Sequence, residues 1–304
     1  MTVNTTYDLR SGFSSTNYAD LSDRYQAAYD WFESFGFKVA VTRLRRYKAC
    51  IDELATYYRE GTLDIASFKR DFAQQATALS EAIEIVRIHS GLASLVSTGL
   101  RNKLEIVLSG KDGRPYPTDF DPSRDIAFEL LLAARCQKAG LQVEIGAKAD
   151  LVILLNGNEL FIECKRLKSA GTVRKRIKDA LKQLHCRYNS ADDPVAARGI
   201  LALSVTDLIN PRHGLITGES PEVVGTKVQR LLDDFIRRYQ VLWQQSQDTR
   251  MTGTFVELSV PSVIESENLF TTCHQVGMNN SCAQGTPDMA LFLEFARKLA
   301  KQVA

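Results

Sequence analysis

The chain has 304 residues, 44% of them hydrophobic and 24% charged, with a formal net charge of +2. That supports one large or two modest domains, and it means that any basic surface is local rather than a property of the whole chain. No apolar run is long enough to span a bilayer, which excludes a transmembrane helix, and no membrane partner is expected. The stretch from Met1 to Asp8 lacks a basic n-region and an apolar core, so no secretory leader is expected. Cys50, Cys136, Cys164, Cys186, Cys273 and Cys282 show no CxxC spacing and fit a reduced, cytoplasmic protein. Cys273-His274 with Cys282, and His185-Cys186, match no zinc pattern.

The first third reads as successive helices over Ala19–Phe35, Val39–Glu60, Ile65–Ser90 and Leu92–Leu108. Gly61 to Asp64 is a turn, and Asp64 can cap the third helix. Leu79, Ile83, Ile85, Val86 and Ile88 give that helix a broad apolar surface, as a helical bundle packed on a further domain requires. Arg43, Arg45, Arg46 and Lys48 cluster on the second helix; a solvated helix face is the favoured reading over a DNA-binding patch. These helices also offer a surface for a homodimer or a partner subunit. The loop from Gly110 to Pro117, with Gly113 and Pro115, is the best boundary. It divides a helical N-terminal domain, residues 1–117, from a second domain, residues 118–304.

Beyond it, Asp121-Pro122-Ser123 is a helix start, with Asp121 as N-cap and Pro122 in the first position. The helix carries Ile126, Leu130, Ala133 and Ala134 at helical spacing and stops at Gly140. Glu129 lies on it. Val143–Ile145 is a short strand. Two apolar runs then flank Asn156-Gly157, the strongest short hairpin signal, because a type I′ turn needs positive φ at both central residues. A two-residue loop pairs Leu155 with Asn158 and, counting outward, places Asp150 opposite Glu163. Opposed residues share a sheet face with Cβ atoms roughly 5 Å apart. Lys165, two residues on, shares that face. Adjacent carboxylates repel, and a divalent cation between them resolves the repulsion. Hard oxygen ligands suit Mg²⁺ or Mn²⁺. A surface Glu–Lys pair is the plainer reading, but it accounts for one charge pair and not for both carboxylates in register.

Asp150 followed by Glu163-Cys164-Lys165 resembles the PD-(D/E)XK, or restriction-endonuclease-like, nuclease superfamily. The resemblance spans roughly residues 120–206 and departs from the name-giving motif at Ala149, where the pattern has Pro. It implies an α/β fold, a mixed sheet with an αβββαβ core, appended here to the all-helical N-terminal domain. It implies that Asp150 and Glu163 hold the metal with the Cys164 carbonyl as a third ligand, that Lys165 orients or deprotonates water, and that Glu129 faces the metal. In such nucleases a Gln on the following helix points toward the site, a place that Gln183 can fill.

That following helix is amphipathic. Thr172 is a candidate N-cap, and Val173, Ile177, Leu181, Leu184 and Tyr188 form an apolar stripe. Lys168, Arg174, Arg176 and Lys178 give the other side a basic character suited to phosphates. Gly199–Val205 is an apolar run fit for a buried strand. A long helix over Pro221–Gln247, a strand over Phe255–Val260 cut by Pro261, a polar mobile loop over Leu269–Gln284 and a last helix from Thr286 to about Val303 complete the expectation.

The expected function is a Mg²⁺-dependent nuclease hydrolysing DNA phosphodiester bonds, an endonuclease in restriction, phage defence or repair. RNA is not excluded, because phosphate contacts do not distinguish the two polymers. A catalytically silent nucleic-acid-binding module, or a protein-interaction module on the same scaffold, is the alternative.

Overall fold

The computed structural model describes residues 6–13, 18–62, 72–113, 121–146, 148–244, 248–267 and 269–300. Asp64 and the end of the 110–117 loop lie outside them. The first strand, β1 (Thr6–Phe13), is followed by helices α1 (Tyr18–Ser34), α2 (Arg43–Arg59), α3 (Phe72–Leu92) and α4 (Thr98–Leu108). Then come α5 (Pro122–Lys138), β2 (Gln142–Ile145), β3 (Leu151–Leu155), β4 (Asn158–Arg166), α6 (Val173–Asn189) and β5 (Ala197–Ser204). The chain continues with α7 (Thr206–Ile209), β6 (Ile216–Gly218), α8 (Pro221–Tyr239), α9 (Val241–Gln244), β7 (Met251–Ile264), β8 (Leu269–Asn280) and α10 (Pro287–Ala300).

Local chemistry sets the ends that matter for the site. Asp121 accepts from the Ser123 N–H at 2.9 Å and starts α5, with Pro122 in its first turn. Ser97 does the same for α4, accepting from Leu100 N–H at 3.1 Å. Gly140, at φ +72°, ends α5 in the left-handed conformation that a helix terminus favours. Thr172 precedes α6, but its side chain makes no capping bond. Asn156 (φ 52°) and Gly157 (φ 76°) form the two-residue turn joining β3 to β4.

The sheet runs β1-β8-β7-β5-β4-β3-β2, with β6 also on β7. β4, β5 and β7 are parallel neighbours, and α6 is the crossover between β4 and β5. Mixed pairing thus makes this an α/β protein with helices on both faces. On one face lie α1–α5 and α10, in one apolar cluster that includes Phe32, Ile51, Leu104, Leu130, Ile162 and Phe292 and so runs continuously across residue 117. On the other face α6 and α8 cover Leu201, Leu203, Val256 and Leu258, with Phe161 and Tyr188 in a smaller group beside them.

The far half of the sheet departs from expectation. β7 runs straight through Pro261, because that residue falls between Glu257, the last paired with β5, and Ser262, the first paired with β6. On that flank the missing N–H interrupts no ladder. The polar stretch expected to be a mobile loop is instead β8, buried along nearly its whole length. Some of its polar side chains find partners: Arg87 lies 3.2 Å from His274 Nδ1, and Trp243 Nε1 donates to Asn279 Oδ1 at 3.3 Å, while both side-chain polar atoms of Asn280 are buried without one among the described residues. α8 ends at Tyr239 rather than running on to Gln247.

A buried ionic network ties the helical layer together. Glu81 on α3 receives Arg43 Nε from α2 and Arg124 Nε from α5, each at 2.9 Å. Arg124 also pairs with Asp121 at 2.8 Å, and Arg43 donates to the Val107 carbonyl at 2.6 Å. Arg43 is therefore a core residue. Of its basic neighbours, Lys48 pairs with Asp52 at 2.5 Å and Arg46 pairs with Asp112. Among the described residues no helix is long and apolar enough to cross a membrane.

Candidate active site

The β3–β4 hairpin positions the carboxylates. Leu155 pairs with Asn158 and Leu151 with Ile162, where the ladder ends, so Asp150, one residue before β3, and Glu163, one residue beyond Ile162, flank its last pair. β4 outruns β3 at this end: Glu163 to Arg166 pair only with β5, Glu163 with Leu201 and Lys165 with Leu203. The open flank is taken by Asp150, whose Oδ2 accepts the Cys164 N–H at 2.8 Å. In an extended strand the N–H and C=O of one residue leave on the same side. The Cys164 carbonyl therefore faces the same open flank. Its thiol points into the apolar core, and burial pushes it well above its ordinary value, so the sulfur is no thiolate ligand.

Glu163 is 1% exposed. Lys165 Nζ lies 3.4 Å from its Oε2, and Arg187 Nε, from α6, lies 3.3 Å from its Oε1. Burial, and next the Asp150 carboxylate, hold Glu163 above its ordinary value in spite of both cations. Glu129 reaches the same end from α5. It is buried, and it is ion-paired with Lys103 of α4. Lys103 Nζ also donates to the Asp150 backbone carbonyl at 3.3 Å. Burial and Asp150 push Glu129 up to about 7 against the opposing fields of Lys103 and Lys165.

The structure thus brings Asp150, Glu163, Lys165 and Glu129 to one end of the hairpin. Lys103 and Arg187 complete the group, and no sequence pattern marked either one. Lys103 sits in a helix with no motif, and Arg187 sits among several other basic residues of α6. Arg174, Arg176, Lys178 and Gln183 are exposed on α6. Gln183 lies one helical turn before Arg187, and it is Arg187 that contacts Glu163. Lys168 is half-buried, 3.6 Å from Asp125.

Among the described residues no three His, Cys, Asp or Glu side chains form a ready metal cluster. The donors still fit a hard dication of the Mg²⁺ or Mn²⁺ kind. Asp150 and Glu163 offer two carboxylates, and the Cys164 carbonyl faces the same flank. Burial, and next Asp150, hold both carboxyls high despite the nearby cationic side chains, as in a desolvated cluster of charges.

The field around Glu129 has a measurable consequence. Its carboxyl holds a proton to about 7 in the folded chain, against 4.5 as the ordinary value. Between these values the folded chain binds more protons than the unfolded chain, so this stabilising contribution is full below pH 4.5 and is lost as pH rises to about 7. Thermal melts in EDTA from pH 4 to 8 are expected to show a steeper decline for wild type than for Glu129→Gln, in which Glu163 is the raised carboxyl that remains. Parallel curves for the two proteins would remove the assignment.

No protein-family model, no curated protein and no solved structure matches this chain.

Proposed function

We propose that the protein is a metal-dependent phosphodiesterase acting on nucleic acid, an endonuclease on DNA, with a restriction-endonuclease-like core formed by α5, β2, β3, β4, α6 and β5. The observation that carries this reading is the Asp150 carboxylate seated on the Cys164 N–H at 2.8 Å, beside a buried Glu163 that has Lys165 at 3.4 Å. Asp150, Glu163 and the Cys164 carbonyl hold the cation. When bound, the cation polarises the scissile phosphate and acidifies a water. Lys165, on the solvent side of Glu163 and 15% exposed, orients that water and stabilises the charge that builds on the phosphate oxygens. Arg187, 41% exposed and 3.3 Å from Glu163, would be free to pair with a phosphate if Glu163 were engaged by a cation. Burial of Glu163 excludes bulk water from the ligand side and strengthens each of these fields.

The exposed basic surface of α6 lies next to this site and has Asp179 as its single acid. Arg174, Arg176 and Lys178 are placed to track the phosphate backbone. Replacing all three with Ala is expected to weaken binding equally for unrelated sequences. It should also lower the steepness of the salt dependence by about 2–3, roughly 0.9 per lost phosphate contact. Fluorescence anisotropy at several salt concentrations checks this.

The deciding test is cleavage of supercoiled plasmid and of short single- and double-stranded DNA and RNA, with Mg²⁺ or Mn²⁺ and with EDTA. Metal-dependent cutting that disappears in Glu163→Gln and falls in Lys165→Ala supports the reading. Tight binding without cutting favours the silent binding module. Cutting that survives both substitutions removes the site.

A further inference from the structure

Lys103 belongs to no motif, and yet its position is built from several directions. It lies one helical turn after Gly99, on the same side of α4. A Cβ on Gly99 would stand 2.3 Å from the Ile145 carbonyl oxygen, so α4 touches the end of β2 backbone to backbone. A Cβ on Gly146 would stand 3.1 Å from Lys103 Cε, so the lysine stem lies along that glycine. Gly146 takes φ +74°, and its N–H donates to the Asp150 carbonyl at 3.3 Å, the oxygen that Lys103 Nζ also reaches. The ammonium is 13% exposed and ion-paired with a Glu129 that is 9% exposed. A long, flexible cation has been brought indoors and aimed at two carboxylate-bearing residues.

From this placement we propose that Lys103 is a positioning residue that occupies the place of a second cation, so that the site takes a single divalent ion on Asp150 and Glu163. Three carboxylates at one end of the hairpin, with Asp150 between two buried glutamates, would without that ammonium invite a second dication, as in paired-metal phosphodiesterases. Here Glu129 is engaged by a fixed ammonium from a different helix, and the Asp150 carboxylate is turned by the Cys164 N–H toward the Glu163 side. Glu129 then acts through Lys103 and Asp150 rather than as a ligand of the bound ion. The inference rests on the metal-dependent reading above.

The test counts ions. Apo full-length protein is titrated with Mn²⁺, and free Mn²⁺ is followed by spin resonance. Wild type and Lys103→Arg are expected to bind one ion. Lys103→Met, which keeps the stem and removes the charge, is expected to bind two, and Lys103→Met with Glu129→Gln returns to one. Glu129→Gln alone is expected to keep one ion at unchanged affinity, a readout that stands even if the Lys103→Met protein fails to fold. Two ions on wild type, one ion on a folded Lys103→Met, or loss of the ion in Glu129→Gln would each overturn the proposal while leaving a metal site in place. No Mn²⁺ on wild type at all would instead overturn the underlying metal-dependent reading, and this inference with it.

Discussion

Glu163→Gln is expected to abolish metal-dependent cleavage while leaving the protein at least as stable as wild type. The substitution keeps volume and shape and removes only the charge. In the wild-type chain that charge is unfavourable, since burial and Asp150 both resist ionisation of Glu163. Neutralising it relieves repulsion, and its partners Lys165 and Arg187 retain contact with solvent. Turnover, by contrast, loses a ligand of the cation and the anchor of Lys165 together. Loss of one pre-organised electrostatic contact costs roughly 10²–10³ in rate, and two act here as a unit. Single-turnover cleavage and a thermal melt on the same preparation check both halves. A melting temperature that falls along with activity would mean that Glu163 is structural. Sites that trade stability for chemistry in this way are common.

The largest effect on stability is expected at Glu81. Burial alone would raise this carboxyl, but Arg124 and Arg43 outweigh burial and hold it below its ordinary value of 4.5. Removing one partner of a buried ionic group leaves the others charged and unpaired, at a cost of about 3–5 kcal/mol. For Glu81→Gln, Arg43 loses its carboxylate partner and Arg124 keeps only Asp121, at the junction of α2, α3 and α5. At roughly 2–4 °C per kcal/mol, the melting temperature should fall by on the order of 10 °C. The sign in pH also follows. The Glu81 contribution is present above 4.5 and is lost as pH falls through the lower value of the folded state, so wild type should lose stability in acid more steeply than Glu81→Gln. Denaturant titrations at pH 7 and at mildly acidic pH measure both. Equal stability of the two proteins at pH 7 would show the network to be dispensable.

What the sequence revealed followed from local chemistry. The Asn156-Gly157 turn fixed the hairpin register from Leu155–Asn158 to Leu151–Ile162, because both residues accept positive φ, and the residues next beyond that last pair are Asp150 and Glu163. Asp121-Pro122 marked the start of α5, because cap and ring act on the next few atoms only. β8 was illegible for the opposite reason. Thr271, Thr272, His274, Gln275, Asn279 and Asn280 are buried, and partners such as Ser80, Arg87 and Trp243 come from distant elements. Alternation of polar and apolar residues carries no strand signal when both faces are covered. Lys103 was hidden likewise: nothing near it in sequence shows that Gly99 brings α4 against β2. The basic run at Arg43 misled in a different way, since Arg43 is a core residue whose counter-charge sits on another helix.

The pairing of β1 with β8 joins the first described strand to the last. During synthesis β1 emerges more than 250 residues before β8 and must wait, unpaired, until β8 has been made. Such non-local pairing is slow to form. Until it forms, the outer edge of β8 presents a row of free backbone groups, open to any suitable strand. A β1 from a neighbouring chain fits that edge as well as the chain's own does. Crowded refolding should therefore yield strand-swapped dimers, with each molecule lending its first strand to the other, where a dilute chain closes on itself.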